Sequence, residues 1–189
     1  MLDRIPSIGK VLTKSQMVDI ITKHEVFAGF NEQQTKELHH LVSYRLAEKN
    51  ETIFHICDVP DYILFLVDGS LTLNFPDRTK VDILPNELIG EIGILNGDFR
   101  LGTLVADKDS RLIAINTITL FDSNIISTKV TLEIMRRLSK RVTNYLRSIQ
   151  QTSTKEIIKA GEDDHVEFKS TLRWNLKLPK KILKSRKPS

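Results

Sequence analysis

The feature that most constrains the fold is a change of hydrophobic period at Ser43. From Ser43 to Asn116 the apolar residues come in short runs separated by turn-forming residues, a pattern typical of a compact all-β unit. Asp68-Gly69, which lies between two such runs, is the clearest signal for a tight hairpin turn. Eight strands are therefore predicted, at residues 43–48, 52–55, 62–67, 70–75, 80–84, 87–89, 101–106 and 111–116.

Two short helices are predicted before this β unit. Apolar residues recur at helical spacing from Ser15 to Ala28, with Ser15 as the N-cap. Asn31 is followed three residues later by Gln34, which is the spacing of a capping box. A second predicted helix therefore begins after Asn31 and ends near Val42.

The predicted carboxy-terminal helix, from about Lys129 to Gln150, carries an apolar seam. Its residues are spaced three or four positions apart, at Met135, Leu138, Val142, Tyr145 and Ile149. Two interpretations stay open because sustained repeats are what usually indicate coiled coils, and this seam is short. Either the helix packs on the chain's own β unit, or residues 132–149 join two copies in a homodimer.

The segment from Asn86 to Ala106, NELIGEIGILNGDFRLGTLVA, has the residue types that bind a phosphate. Backbone N–H groups in the first turn of a helix lack intrahelical partners, so those of residues 92–94 suit a phosphate oxygen. The Arg100 guanidinium adds a charge-assisted donor, and the Glu91 carboxylate can accept a hydrogen bond from a ribose hydroxyl. An ordinary surface pair at a turn is the alternative interpretation of Glu91 and Arg100.

In order and spacing, this segment resembles the phosphate-binding cassette of cyclic-nucleotide-binding domains, a family that includes catabolite activator proteins, cyclic-nucleotide-dependent kinases and gated channels. The cassette here runs from Gly90 to Thr103. The resemblance covers roughly residues 15–150. Besides the cassette, it includes the segments Leu64–Leu71 and Val26–Phe30. It implies a mainly β fold with flanking helices: an N-terminal helical pair, an eight-stranded, cupin-like jelly-roll barrel and a C-terminal helix.

The resemblance also implies a ligand and the residues that bind it. The ligand is a cyclic nucleotide, cAMP or cGMP, whose binding repositions the C-terminal helix; no cofactor is implied. Glu91 would accept from the ribose hydroxyl, Arg100 would neutralise the cyclic phosphate, and amides near Gly93 and Leu101 would complete the cradle. The implied ligand-binding residues are Gly90, Glu91, Ile92, Gly93, Arg100, Leu101, Gly102 and Thr103.

Two cassette positions depart from the family's pattern. Leu101 stands where the family has Ala or a hydroxyl residue, so its side chain is expected to crowd the pocket. Gly102 replaces a further Ala and is expected to make room. The alternative function is therefore a jelly-roll interaction module that binds no nucleotide. A metal-dependent cupin enzyme is a third hypothesis, although the predicted strands lack clustered His and Glu ligands.

The last part of the chain differs in charge from the rest. Of 28 Lys and Arg residues, eight follow Phe168, where there is no Asp or Glu, leaving 20 basic against 24 acidic residues before it. We expect a disordered basic tail, and no nucleic-acid binding without a further domain. Gly161–Leu176 resembles the opening strand of Schlafen-type AlbA-like domains, which would make the tail a truncated second domain.

These patterns predict three regions along the chain. Residues 1–14 are an N-terminal extension, and residues 15–150 are the cyclic-nucleotide-binding domain. The jelly roll spans residues 43–116 within it, followed by C-terminal helices over 117–150. Residues 151–189 are a linker and the basic tail.

Several other functional classes are not expected from this sequence. No apolar run approaches the ~20 residues of a membrane-spanning helix, and the amino terminus lacks the pattern of a secretory signal, so a cytoplasmic location is expected. The single cysteine, Cys57, cannot form an intramolecular disulfide. The histidines lack metal-ligand spacing and no nucleophile-and-base motif occurs, so neither a metal site nor catalysis is expected within the chain.

Overall fold

The structure, a computed structural model, describes residues 11–162, and side chains up to residue 147. The expectations for most of the N-terminal extension and for the basic tail lie outside these residues. The described elements are α1 (Lys14–Ile21), α2 (Glu32–Leu41), β1 (Val42–Ala47), β2 (Thr52–Phe54), β3 (Tyr62–Asn74), β4 (Lys80–Ile83), β5 (Leu88–Ile89), α3 (Glu91–Asn96), β6 (Thr103–Asn116), α4 (Thr117–Leu120) and α5 (Thr128–Glu162).

An antiparallel six-stranded sheet forms the β unit, with the order β1-β6-β3-β4. Strand β2 also pairs with β6, and β5 pairs with β3. The prediction of a mainly β fold with flanking helices is confirmed, but eight separate strands are not found in the described residues. The predicted pairs of runs 62–67 with 70–75 and 101–106 with 111–116 are continuous strands, because β3 and β6 pair with each other from Tyr62 to Asn74.

The predicted hairpin at Asp68-Gly69 is wrong. The register between β3 and β6 shifts at this point, between Leu66 and Asp68 and again between Asp68 and Ser70, so the dipeptide lies in a bulge within a long strand. Gly69 has a φ of +106°, and a Cβ there would overlap Ser110 of β6. The turn signal therefore marks a place where the strand bends and two backbones approach closely.

The two amino-terminal helices differ in how well the sequence predicts their ends. In α2, Asn31 is the N-cap and forms the expected capping box with Gln34. In α1 the N-cap is Thr13 rather than Ser15, with Gln16 completing the box, and the helix ends at Ile21 instead of continuing to Ala28. Two capping boxes were therefore present, and only one was recognised.

Alternating residues of the central strands pack into two hydrophobic clusters on opposite faces of the sheet. Ile63 and Phe65 of β3 belong to a cluster that joins the sheet to α1, α2 and α5, whereas Leu64 and Leu66 belong to a second cluster on the other face. The second cluster also contains Phe54 of β2 and is bordered by Tyr62. This alternation places β3 between the helical layer and the residues around the cassette.

Helix α5 begins one residue before its predicted start and continues past Gln150 to Glu162, where a linker was expected. Its buried stripe consists of Val130, Ile134 and Leu138. Leu138 of the predicted seam thus packs on the chain's own domain, while Tyr145 is 55% exposed. The side chain of Ile149 lies outside the residues whose side chains are described.

Candidate functional site

The cassette starts with a glycine whose backbone only glycine adopts readily. Gly90 precedes α3 as its N-cap, with φ +91° and ψ +7°, in the left-handed region. It carries no side chain to cap the helix, so α3 starts without a side-chain cap. A Cβ at this position would overlap Nη1 of Arg100. Gly90 is therefore required both for the turn and for the approach of the arginine.

Arg100 is buried and held by backbone carbonyls. Its residue is 4% exposed, Nη1 donates to the Gly90 carbonyl at 3.0 Å, and Nη2 donates to the Tyr62 carbonyl at 2.6 Å. Nε is buried and has no hydrogen-bond partner among the described residues. Burial lowers the pKa of Arg100, although Tyr62 and the nearby Asp61 and Asp58 act in the opposite direction.

Two aromatic rings contact the guanidinium of Arg100. Its central carbon lies 4.4 Å from the ring centroid of Phe54 and 4.9 Å from that of Tyr62. These distances are those of cation–π contacts. Sequence reasoning missed both aromatic residues, because they come from β2 and β3 and no local motif links them to the cassette.

Glu91, the first residue of α3, is also buried, with 9% of its surface exposed. Burial raises the pKa of its carboxyl group, while its own backbone N–H, Arg141 and Arg100 act to lower it. Glu91 Oε1 lies 3.7 Å from Nε of Arg141, a residue of α5 whose Nη2 donates to the Leu88 carbonyl at 3.3 Å. The sequence analysis did not identify Arg141, because its role depends on how α5 packs.

The remaining cassette residues differ in their exposure and in their contacts. Ile92 and Leu101 are 37% and 46% exposed, and neither belongs to the two core clusters. Thr103 begins β6, and its Oγ1 accepts from the Ile56 N–H at 3.1 Å. A Cβ on Gly102 would lie 2.7 Å from the Asn74 carbonyl oxygen, so this glycine permits strand packing. The expectation that Gly102 makes room in the pocket stays a prediction.

A loop from β2 to β3 runs beside the end of the cassette. The Cys57 N–H donates to the Arg100 carbonyl and the Arg100 N–H donates to the Asp58 carbonyl, both at 2.9 Å. Within the cassette, the Gly93 carbonyl also accepts from the Asp98 N–H at 2.9 Å. The bonds to Cys57 and Asp58 fix the backbone at Arg100 independently of the position of its side chain.

Other features lie away from the cassette. A cavity of about 290 Å³ is lined by Phe30 near the start of α2 and by Leu132 and Arg136 of α5. Among the described residues, no group of three His, Cys, Asp or Glu side chains could hold a metal ion, which gives the cupin hypothesis no support. No described helix has the length and apolar content to cross a membrane.

The geometry therefore assembles a buried arginine, a buried carboxylate and the start of a short helix at one place. A comparison with protein families finds a match over this part of the chain. Residues 44–122 match the family model of the cyclic nucleotide-binding domain. This match includes the whole cassette and all six strands of the sheet except the first two residues of β1.

Solved structures of cyclic nucleotide-binding domains share this fold. A cyclic nucleotide-binding domain from Methylobacillus flagellatus is 17% identical, with a TM-score of 0.61 over 76% of this chain and 83% of that chain. The regulatory domain of Toxoplasma gondii protein kinase A, solved with cAMP, is 12% identical, with a TM-score of 0.57 over 70% of this chain and 50% of that one.

A third solved structure carries a different description. The regulatory subunit of a cAMP-independent protein kinase A from Trypanosoma brucei is 14% identical, with a TM-score of 0.57 over 71% of this chain and 49% of that one. At these identities the three likenesses show the fold. No curated protein matches the sequence. None of the matches supports the resemblance of the tail to Schlafen-type AlbA-like domains.

Proposed function

We propose that this chain is a non-catalytic regulatory module that senses a cyclic nucleotide, cAMP or cGMP, through the cassette from Gly90 to Thr103. The cyclic nucleotide-binding family match and the likeness to a kinase regulatory domain solved with cAMP support this proposal. The observation that carries it is the buried Nε of Arg100, a donor with no partner among the described residues, in the same cassette as the buried carboxylate of Glu91. A buried cation with an unused donor suits an anionic ligand.

In this proposal the two charged cassette residues contact different parts of the nucleotide. Arg100 donates to the cyclic phosphate, and the amides at the start of α3 add to the same contact. Glu91 accepts from a ribose hydroxyl. Its burial excludes water, so a hydroxyl donor gains more from this carboxylate than it would at the surface.

The proposed output is a change in α5, which contacts the cassette through Arg141. Arg141 Nε and a ribose hydroxyl would compete for the same carboxylate of Glu91. A ligand shifts a helix only as far as its affinity differs between the two arrangements, and this competition supplies such a difference. Replacing Arg141 by Met should therefore strengthen nucleotide binding and weaken its effect on α5.

Isothermal titration calorimetry with cAMP and cGMP tests the proposed binding. We expect saturable binding by the wild-type chain, and loss of most of the affinity in Arg100→Ala and Glu91→Ala. The matched control is Arg136→Ala, which removes an exposed arginine of α5 that is bonded to Glu133. Binding that survives in Arg100→Ala would contradict the assignment of Arg100.

The second candidate is a jelly-roll interaction module that binds no nucleotide. This candidate is favoured because the polar groups of the cassette already have partners within the protein. Both Nη atoms of Arg100 donate to carbonyls, and Glu91 contacts Arg141. The Trypanosoma brucei protein, which has a similar fold, is described as the regulatory subunit of a cAMP-independent kinase. Absence of heat with both nucleotides, from protein that is folded by circular dichroism, would favour this candidate.

A homodimer through residues 132–149 of α5 is proposed separately from ligand binding. Leu132 and Leu146 are 65% and 56% exposed, so part of this segment offers apolar surface. Light scattering coupled to gel filtration tests it. A monomer at tens of micromolar protein would remove the proposal.

A further inference from the structure

The aromatic pair around Arg100 has no role in the function proposed so far. Phe54 is 4% exposed and belongs to the second cluster, on the face of the sheet away from the helices. Tyr62 borders the same cluster. Both rings also lie within cation–π distance of one buried guanidinium.

The two carbonyl bonds and the two rings together leave Arg100 with a defined orientation. Nη1 and Nη2 are bonded to carbonyls on different elements, Gly90 before α3 and Tyr62 in β3. Ring contacts restrict rotation of the guanidinium plane. Within the described part of the chain, the guanidinium nitrogen without a partner is Nε, which is buried.

We propose that Phe54 and Tyr62 are positioning residues that orient Arg100 so that Nε–H is its free donor to one oxygen of an anionic phosphate ligand. The proposal rests on the cyclic-nucleotide function proposed above and adds the residues that determine how the phosphate is contacted. Phe54 and Tyr62 act through Arg100 and do not themselves contact the ligand's phosphate. Recognition through one fixed N–H distinguishes the two non-bridging oxygens of a cyclic phosphate, because they cannot both face it.

Tyr62 makes a second set of contacts that allows its ring and its hydroxyl to be separated. Its hydroxyl donates to the Ile53 carbonyl and accepts from Nη1 of Arg45, both at 3.2 Å. Tyr62→Phe removes these bonds and retains the ring next to Arg100. Tyr62→Leu removes the ring, while the backbone carbonyl that accepts from Arg100 remains in both variants.

The first test measures the affinity for the Sp and Rp phosphorothioate analogues of whichever cyclic nucleotide binds. Sulfur accepts hydrogen bonds weakly, so the ratio of the two dissociation constants reports how firmly one oxygen is selected. We expect the wild-type chain and Tyr62→Phe to discriminate, and Phe54→Leu and Tyr62→Leu to lose most of the discrimination and bind about fivefold to tenfold more weakly. General destabilisation would weaken both analogues equally and leave the ratio unchanged.

The matched control for Phe54→Leu is Phe65→Leu. Phe65 is equally buried, at 1% exposed, and belongs to the cluster on the helical face, where its ring contacts His24. This substitution should lower stability and leave the ratio intact. Ratios that are unchanged in both Phe54→Leu and Tyr62→Leu would overturn the proposal.

A second test needs no ligand and separates this proposal from the proposed function. NMR of ¹⁵N-labelled arginine side chains measures how fast the Arg100 guanidinium rotates in the free protein. Slow rotation in the wild-type chain, accelerated in Phe54→Leu and Tyr62→Leu but not in Phe65→Leu, supports positioning even if no nucleotide binds. Equal rotation in all of these proteins would overturn the positioning role, whereas absence of nucleotide binding alone would overturn only the function.

Discussion

Two arginines among the described residues are buried, in two different ways. Arg111, in β6 where β3 and β6 bend, is 2% exposed and donates from Nε to Asp68 Oδ2 at 2.7 Å, and Nη2 donates to the same oxygen. Arg100, in the cassette, is 4% exposed and has no carboxylate within ion-pair distance among the described residues. Each has one nitrogen without a hydrogen-bond partner in the part of the chain that the structure describes, Nη1 in Arg111 and Nε in Arg100.

The difference between the two regions concerns charge compensation. The hydrogen bond to Asp68 raises the pKa of Arg111, whereas burial lowers the pKa of Arg100. Burying a cation without an anionic partner is unfavourable for folding, so stability alone does not explain the burial of Arg100. Arg111 is paired within the sheet by Asp68, and in the proposed function the anion that pairs with Arg100 is the ligand.

The largest effect expected from this comparison is on stability. Arg111→Met removes the partner of Asp68, whose side chain is 28% exposed. Because the remaining carboxylate is only partly hydrated, we expect the free energy of unfolding to fall by about 2–3 kcal/mol. Urea denaturation measures it. Nucleotide affinity should stay within about twofold of the wild type, and a large loss of affinity would erase the distinction between the regions.

The converse substitution, Arg100→Met, should affect binding rather than stability. Removing a buried cation without a carboxylate partner relieves a desolvation cost, so the free energy of unfolding should change by less than about 1 kcal/mol. Affinity for the nucleotide should fall by about 100-fold, or about 2.7 kcal/mol, because a charge-assisted contact is lost. Denaturation and calorimetry on the same preparation check both halves. A strongly destabilised variant would show that Arg100 is structural as Arg111 is.

Gly90→Ala tests whether the position of the Arg100 side chain depends on the glycine backbone beside it. Alanine at φ +91° costs about 1–2 kcal/mol, and its Cβ also displaces Nη1 of Arg100. The control is Gly29→Ala, with φ +72° and no atom within 4 Å of the added carbon, which brings the same kind of strain without the displacement. We expect similar losses of stability and a loss of affinity, about tenfold, in Gly90→Ala alone. Equal affinities would argue against the approach of Arg100 to Gly90.

The smallest expected effect is the pH dependence that Glu91 adds. Burial raises the pKa of its carboxyl above the ordinary 4.5, so ionisation costs more in the folded chain than in the unfolded one. The stability from this group is complete below its ordinary pKa and is lost as pH rises through the raised value. As the pH is lowered from about 7 to about 4, the free energy of unfolding of the wild type should therefore rise relative to that of Glu91→Gln. Thermal unfolding across this range measures the difference, and the opposite slope would contradict it.

Local sequence signals predicted the elements whose determinants are themselves local. The capping box of Asn31 and Gln34 involves residues three positions apart, and α2 begins where it indicates. Gly90, Glu91 and Arg100 could be proposed as site residues because the cassette is a contiguous motif, and their burial and mutual contacts come from the structure. Asp68-Gly69 was misjudged because a turn-forming dipeptide fits a bulge as well as a hairpin, and pairing with the distant β6 selected the bulge.

The contacts that complete the site depend on tertiary packing. Phe54, Tyr62 and Arg141 lie in β2, β3 and α5, and each reaches the cassette only because the sheet and helices pack as they do. No spacing in the sequence connects them to Arg100 or Glu91. Leu101 was expected to crowd the pocket, and its 46% exposure could not be foreseen from residue type.

The central claim, that Arg100 serves an external anion while Arg111 serves the fold, is tested most directly by following both Nε–H resonances by NMR as cAMP or cGMP is added. The account predicts that the Arg100 resonance shifts and saturates with the ligand, while the Arg111 resonance, bonded to Asp68, stays in place. If the Arg100 resonance does not move at nucleotide concentrations that saturate binding by calorimetry, the claim is contradicted.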